Sequence, residues 1–479
     1  YNYSTGRMSD AGYDLTELKG NNVSMRKAII DHAGNLYVGT LGSGLMVIPK
    51  GGRKLVKVEN NNGSFSLASS NANSVIEDKD NNLWVGCYKK GLLLLNDRKA
   101  AFSTWSFSAQ NLVIGSSVSS MVKGDHGDTW CTVQNNGVYR FDMKGKIVSH
   151  PSSPVGTNII YRDAQGRYWL GSENGLYIYN PITGNYQLKQ SFQGWGLNCM
   201  VDDGKGNLYI SNFGKGLCIY NITTEKSITY SMNQQHKKGT LLNDWIMSMR
   251  FDHAGLLWIG TSNGLVCFNP KNGDFRPFGW QDSPLKGMQC TALSEMSDGN
   301  ILIGTDCGLF LFNRSSKNIS RFPKSEQISD KVIGGIVIDR SGDIWLGTSM
   351  GIWQYKMLSK RFIGHISGNG LTTKEYIIGT QMHRSDDMIG FGTSDGITTF
   401  YPETVKKNGI KMGELYLTNF IQGGRSIDCL SNHFEIPYSE NSFSMEFSLL
   451  NYKNTDNIGL QYRINGAKEW MSTNEGNNV

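Results

Sequence analysis

Asp252-His-Ala-Gly-Leu-Leu-Trp258-Ile-Gly260-Thr-Ser-Asn-Gly264-Leu is the stretch whose reading decides the fold. It consists of a turn rich in Asp and Gly, an aromatic-aliphatic-Gly strand, and a Gly-Leu start to a second apolar strand. A close copy runs Asp339-Arg-Ser-Gly-Asp-Ile-Trp345-Leu-Gly347-Thr-Ser-Met-Gly351-Ile. Along the chain the aromatic slot falls at Tyr37, Trp84, Trp130, Trp169, Tyr209, Trp258, Leu302, Trp345 and Gly390, a period of 39 to 49 residues. A repeat of that length built from strands marks the blade of a β-propeller, so the chain is read as all-β with four-stranded blades.

The second copy shows the blade in full. Its strands are read as Ser74-Val-Ile-Glu-Asp78, Asn82-Leu-Trp-Val-Gly86, Gly91-Leu-Leu-Leu-Leu95 and an outer strand near Phe102-Ser-Thr-Trp-Ser106. Lys79-Asp80-Asn81 closes the first hairpin, because Asp and Asn tolerate positive φ. The tryptophan or tyrosine fills the widening gap between blades, and the Gly two residues later lets neighbouring backbones approach. Trp84, Trp130, Trp169, Trp258 and Trp345 are therefore read as core rather than ligand contacts. The turn residues Asp31, Asp78, Asp163, Asp252 and Asp339 are read as Asx-type braces of the hairpin.

Composition excludes several functions. The 47 basic and 41 acidic residues are dispersed and leave a net charge of only +6, which does not suit a phosphate-tracking surface, so nucleic acid is not an expected partner. No run approaches the roughly 18 apolar residues that span a bilayer, and the sequence opens on a tyrosine without a leader pattern, which reads as a mature or excised soluble piece. The eight cysteines form no C-x-x-C pair and mostly fall within strand patterns, so they are read as core thiols; pairing of Cys290 with Cys307 stays open.

No catalytic residue, metal ligand or cofactor is expected. The interval from Asp to Gly in the cassette is three residues rather than the two of a sialidase box, and its leading Ser is absent. A propeller lyase would need a His/Glu metal centre, yet none of the eight histidines is paired at ligand spacing; His32, His126 and His253 read as solvated turn residues. No Gly-x-Ser-x-Gly, phosphate-cradling loop or dinucleotide fingerprint occurs.

A second signature accompanies the cassette: Gly63-Ser-Phe-Ser-Leu67, Gly239-Thr-Leu-Leu-Asn-Asp-Trp-Ile-Met-Ser248, and Asn369-Gly-Leu-Thr-Thr-Lys-Glu375 before an exit reading Phe400-Tyr-Pro-Glu403. Asn441-Ser-Phe-Ser-Met-Glu-Phe-Ser448 and Leu460-Gln-Tyr-Arg-Ile-Asn-Gly-Ala-Lys-Glu-Trp470 follow. This combination resembles the two-component-regulator propeller repeats of periplasmic sensors in hybrid two-component systems, ending in the opening of an Ig-like "Y_Y_Y" module. Period-2 alternation of Phe443, Met445 and Phe447 separately argues for a half-buried strand.

The resemblance implies two propeller rings, whereas nine cassettes are present. The expected division is 1–100 as the last blades of a first ring, 101–405 as a seven-bladed ring, and 406–479 as an incomplete Ig-like β-sandwich. It further implies a non-enzymatic, periplasmic ectodomain of a histidine kinase that controls glycan-utilisation genes. Such an ectodomain would act as a homodimer through the Ig-like module and be held to the membrane only by a helix downstream of this chain. The alternatives are a secreted propeller scaffold for protein–protein contacts and, behind it, a propeller lyase or glycosidase.

An oligosaccharide is the expected ligand. In a propeller, the loops leading into each innermost strand and those joining the two middle strands gather on one face, and binding residues favour such loops on a rigid frame. Aromatic faces stack on pyranose rings, while Asn, Asp and Lys bond hydroxyls or a uronate. Tyr88, Lys89, Trp195, Phe213, Lys215, Asp244, Trp245, Asn263 and Trp280 are the candidates on these loops.

Overall fold

In the computed structural model the cassettes become separate antiparallel sheets. The structure describes residues 4–472 apart from 9–11, 19–22, 59–66, 68–69, 80, 96–99, 113–114, 116, 193–195, 234–239, 279–282, 367–369, 408–414, 430–432, 450–460, 464 and 466–470. The chain divides into two compact units, Tyr1–Ala100 and Ala101–Val479.

The first unit holds a four-stranded sheet (Ser24–Ile30, Leu36–Leu41, Leu45–Ile48, Val56–Lys57) and a three-stranded one (Ala72–Glu77, Leu83–Cys87, Gly91–Leu95). The second unit holds seven four-stranded sheets. Blades 1 to 6 start on the innermost strands Val118–Lys123, Ile159–Arg162, Leu197–Asp202, Ile246–Phe251, Cys290–Glu295 and Ile333–Ile338, and each continues through its own next three strands. Blade 7 is Gln381–His383, Ile389–Thr393 and Gly396–Phe400, and its outer strand is Phe102–Ser106, in register from Gly396 opposite Ser106 to Phe400 opposite Phe102. Each innermost strand lies against the next, and that of blade 7 lies against Val118–Lys123, so the ring closes.

This corrects the expectation that Phe102-Ser-Thr-Trp-Ser106 ends the second cassette. An outer strand has a weak local pattern and pairs on one side only, so sequence proximity says little about its sheet. Here its hydrogen bonds tie the start of the ring to its last blade. Beyond the ring come a short helix, Pro402–Lys407, and a sheet with Leu415–Gln422 between Arg425–Ile427 and Phe443–Leu449. The segment 450–460 and the Gly466–Trp470 part of the module signature lie outside the described residues.

Three contacts explain why the repeated residues give blades. The turn aspartate does brace its hairpin: Oδ1 accepts the amide four residues on, from Asn82 to Asp78 (2.9 Å), Arg167 to Asp163 (2.9 Å) and Leu256 to Asp252 (2.8 Å). Its second oxygen accepts the indole N–H of the blade tryptophan, at 2.7 Å for Trp84, 2.9 Å for Trp169 and Trp258, and 3.0 Å for Trp345. A cation completes the buried carboxylates: Arg167 on Asp163, Arg314 on Asp252 and Lys406 on Asp339. Burial alone would raise the pKa of Asp252, but the bonds from Trp258, Arg314 and the Leu256 amide outweigh it and hold it below the usual carboxylate range.

The strand glycine faces the next blade. A Cβ on Gly260 would overlap the carbonyl oxygen of Cys290 on the neighbouring innermost strand, and one on Gly304 would meet Ile333 at 2.7 Å. Side chains of the innermost strands also bond to the next blade: Ser120 Oγ donates to the Ile160 carbonyl (3.0 Å), Ser248 Oγ to Cys290 (2.9 Å) and Thr291 Oγ1 to Ile333 (2.6 Å). At the opposite strand ends, His253 and His32 are solvent-exposed turn residues, as expected, and are also tied to a neighbouring sheet. Their amides donate to Glu295 and Glu77 at 2.9 Å, and their Nδ1 atoms meet the same carboxylates.

His365 ends the outer strand of blade 6 and seals it against blade 7. Its ring stacks on Trp345 (5.8 Å, 21°) and tilts against Phe102 (5.2 Å). Although the residue is only half-buried, Nε2 sees no solvent and has no hydrogen-bond partner among the described residues. Burial, helped by the Lys356 charge, pushes its pKa down to about 4.

Three stability measurements follow from these contacts. Asp252→Asn removes the acceptor of a buried indole N–H and the partner of Arg314, and should lower the free energy of urea unfolding by about 2 kcal/mol. Gly260→Ala should cost about 1–3 kcal/mol by forcing blades 4 and 5 apart. For His365 the unfolded chain takes up the proton first, so its contribution is complete above about pH 6.5 and is lost as the pH falls toward 4. Between pH 7 and 4.5 the native chain should therefore lose about 2 kcal/mol more than His365→Phe.

Candidate functional site

Five of the nine predicted ligand residues converge where blades 3 and 4 meet, at the strand ends opposite the Asp turns. Phe213 and Lys215 occupy the loop between Asn207–Asn212 and Gly216–Asn221; Asp244 and Trp245 lead into Ile246–Phe251; Asn263 joins Leu257–Thr261 to Gly264–Asn269. Backbone bonds lock these loops together. Gly216 N donates to the Asp244 carbonyl (3.2 Å), Ser262 N to that of Trp245 (2.9 Å) and Phe213 N to that of Gly196 (3.0 Å).

The middle loop of blade 4 owes its shape to the Thr-x-x-Gly part of the cassette. Thr261 Oγ1 donates to the Gly264 carbonyl (2.9 Å) and accepts the Asn263 amide (3.1 Å), and the same pair of bonds recurs at Thr305, Thr348 and Thr393. Gly264 follows at φ +96°, a conformation glycine adopts without strain. The repeat that builds the blades thus also fixes the loops that frame the face.

At the centre of the site, Trp245 is 43% exposed, and the ring of Phe213 meets it edge-on at 4.5 Å and 72°. Trp245 is oriented from behind, its amide bonded to Asn243 Oδ1 at 2.8 Å. Lys215 is exposed beside the pair, with no acidic partner among the described residues. Asn263 is exposed and accepts the Gly287 amide through Oδ1 (3.1 Å). Asp244 is buried instead, and its Oδ1 accepts the Met232 amide at 2.7 Å, so its geometry is that of a loop brace.

The other candidates fall elsewhere. Tyr88 and Lys89 sit in the first unit, on the loop between Leu83–Cys87 and Gly91–Leu95; Tyr88 is 56% exposed and the Lys89 ammonium lies 5.4 Å from its ring centre. Lys89 adopts φ +58° there. Trp195 and Trp280 lie outside the described residues.

What this arrangement offers is an exposed aromatic platform, a cation and an amide on a stiff frame, a combination suited to a ring-shaped polar ligand. Among the described residues, no three His, Cys, Asp or Glu side chains converge as metal ligands. The cysteines are unpaired, Cys290 and Cys307 included, and burial pushes the Cys199 thiol up to about 12. The sequence reading missed a second concavity, between the outer parts of blades 4 and 5, because Arg276 and Lys317 belong to no motif. The period-2 run Asp274, Arg276, Phe278 was its available signal.

Against known proteins, the two component regulator propeller family matches residues 66–89. A curated relative, Histidine kinase P4 of Formosa agariphila, is 22% identical over 331 residues, or 64% of this chain and 24% of that protein. Among solved structures, the extracellular domain of the hybrid two component system BT3049 from B. thetaiotaomicron superposes with a TM-score of 0.74 at 22% identity, covering 95% of this chain and 63% of that one. That of BT4673 gives 0.55 at 18%, covering 96% and 65%. The chain thus spans about a quarter of the curated relative and just under two thirds of these two ectodomains. It carries a two-component regulator propeller repeat within the β-propeller fold of hybrid two-component extracellular domains.

Proposed function

We propose that this chain is the extracytoplasmic sensing region of a hybrid two-component histidine kinase, periplasmic, non-enzymatic in itself, and responsive to an oligosaccharide. The observation that carries the sensor assignment is the fold shared over 95% of the chain with a hybrid two-component extracellular domain, together with the repeat at 66–89. In this reading 1–100 supplies the last blades of a first ring, and the strands after Pro402–Lys407 open an Ig-like module. That module joins two copies and relays binding to a downstream membrane helix and kinase, whose output is control of glycan-utilisation genes.

The saccharide reading rests on the blade 3/4 face. The Trp245 ring is presented with Phe213 against its side, and Lys215 and Asn263, exposed on the adjoining loops, are the groups offered to hydroxyls or a carboxylate of a stacked sugar. A ligand shifts a receptor only through unequal affinity for its two arrangements, so a rigid face that reads one sugar geometry is a suitable input.

Calorimetric titration of the chain with plant, host and microbial oligosaccharides tests this. One glycan class should saturate a single site, and Trp245→Ala should weaken it at least about tenfold with an unchanged thermal midpoint. Heat signals absent across the panel, or a Trp245→Ala variant that binds as the parent does, would remove the saccharide reading.

A further inference from the structure

The concavity between blades 4 and 5 has a different chemistry. It opens at the strand ends opposite Trp245, since Ile246 pairs with Thr261 at one end of the hairpin and Phe251 with Leu257 at the other. Its volume is about 640 Å³, within the range of small-molecule sites.

Strand alternation builds its walls. In blade 4, Asn269 pairs with Asp274, Cys267 with Arg276 and Leu265 with Phe278, and all six face blade 5, while Val266, Phe268 and Phe275 face blade 3. At the junction of blades 3 and 4 the corresponding space is filled by Tyr209, Tyr230, Phe251, Phe268 and Phe275 in mutual ring contact. At the junction of blades 4 and 5 the rings among the described residues are Trp258, Phe278, Phe310 and Phe312. Trp258, Phe278 and Phe312 touch at 4.8–5.9 Å and form an apolar floor that leaves the cavity open above it.

Cations rim this floor. Arg314 is fixed, with Nη2 on Asp252 (2.6 Å) and Nε on the Gly299 carbonyl (2.8 Å). Arg276 lies exposed with its guanidinium 5.2 Å from the Phe278 ring centre, and Lys317 is exposed on the facing hairpin; neither has an acidic partner among the described residues. The carboxylate on the rim, Asp274, accepts from Asn272 at 2.6 Å.

Hydrogen-bonding groups are scarce on the floor itself. The Trp258 N–H is committed to Asp252, and Asn269 Oδ1 to the Lys271 amide. A hydroxyl-rich sugar pressed against this surface would bury polar groups without partners. A flat aromatic ring would not, and a carboxylate on it would reach Arg276 and Lys317.

From this geometry we infer that the cleft between blades 4 and 5 is a second binding site, and that its ligand is a small aromatic carboxylate, its ring on Phe278 and its carboxylate between Arg276 and Lys317. This site is separate from the saccharide face and does not depend on it.

Titration of the whole 479-residue chain with 4-hydroxycinnamate, with its methyl ester and with glucuronate tests the assignment. The free acid should saturate one site. The ester and glucuronate should each bind at least about tenfold more weakly, as should the acid to the double variant Arg276→Gln/Lys317→Gln, whose exposed positions leave the thermal midpoint unchanged. The proposal is overturned by failure of the acid to saturate at about 10 mM, by unaltered affinity in the variant, or by ester or glucuronate binding as tightly as the acid.

Discussion

The ring is organised by a buried carboxylate at the first hairpin of its tryptophan blades. In blades 2, 4 and 6 it takes the amide of its own turn on one oxygen and the blade's indole on the other, so that local turn geometry and inter-blade packing are fixed by one group. Blade 1 shows that the carboxylate matters rather than its place in the sequence. Six residues before Trp130 stands Gly124, and the carboxylate comes instead from Asp128, which accepts Trp130 Nε1 at 3.0 Å and Arg140 Nε at 2.6 Å. A Cβ at Gly124 would overlap the Asp128 carboxylate, so the glycine vacates the space that the displaced side chain occupies. Where tyrosine replaces tryptophan, an asparagine takes over the second oxygen: Asn35 on Asp31 at 2.8 Å and Asn207 on Asp203 at 2.7 Å.

Much of the ring was legible because this arrangement leaves a periodic trace. The tryptophans and glycines mark the two middle strands, and the structure puts them at blade junctions as large buried rings and close backbone approaches. Leu302 and Gly390 show how a missing aromatic is tolerated. Leu302 is buried beside Trp353 and Tyr355 of the next blade, and Gly390 leaves room for Met382 and Thr399. The outer strands were less legible, since their burial is partial and their pairing one-sided. Phe102–Ser106 carries alternation but nothing that points to a partner almost three hundred residues away.

The candidate site was legible only as far as loop positions follow from blade periodicity. That was enough to bring Phe213, Lys215, Trp245 and Asn263 to one face, because all four sit on loops that the ring gathers. It did not separate ligand-facing from load-carrying roles. Asp244 and Trp245 are adjacent in sequence, yet one is buried under the Met232 amide and the other offers its ring to solvent. The cleft between blades 4 and 5 was harder still to read. It comes from what blade 5 does not contribute to the junction, and an unfilled volume has no sequence pattern of its own.

A ring closed by strand pairing constrains how binding on it could be relayed. Its first strand is hydrogen-bonded into its last blade, and side chains of the innermost strands bond across junctions, so a local event is not dissipated by opening one seam. The chain leaves through Pro402–Lys407, and this helix is held to the ring by the same carboxylate system: Lys406 lies 3.4 Å from Asp339 and 2.6 Å from Ser341 Oγ, while Val405 is buried with Trp345 and Phe400. Tyr401 adds a bond to Asp386 at 3.0 Å. Ring and exit helix therefore move as one body. Under the proposed sensor reading, a ligand would act on the placement of that whole body, by binding one placement more tightly than another.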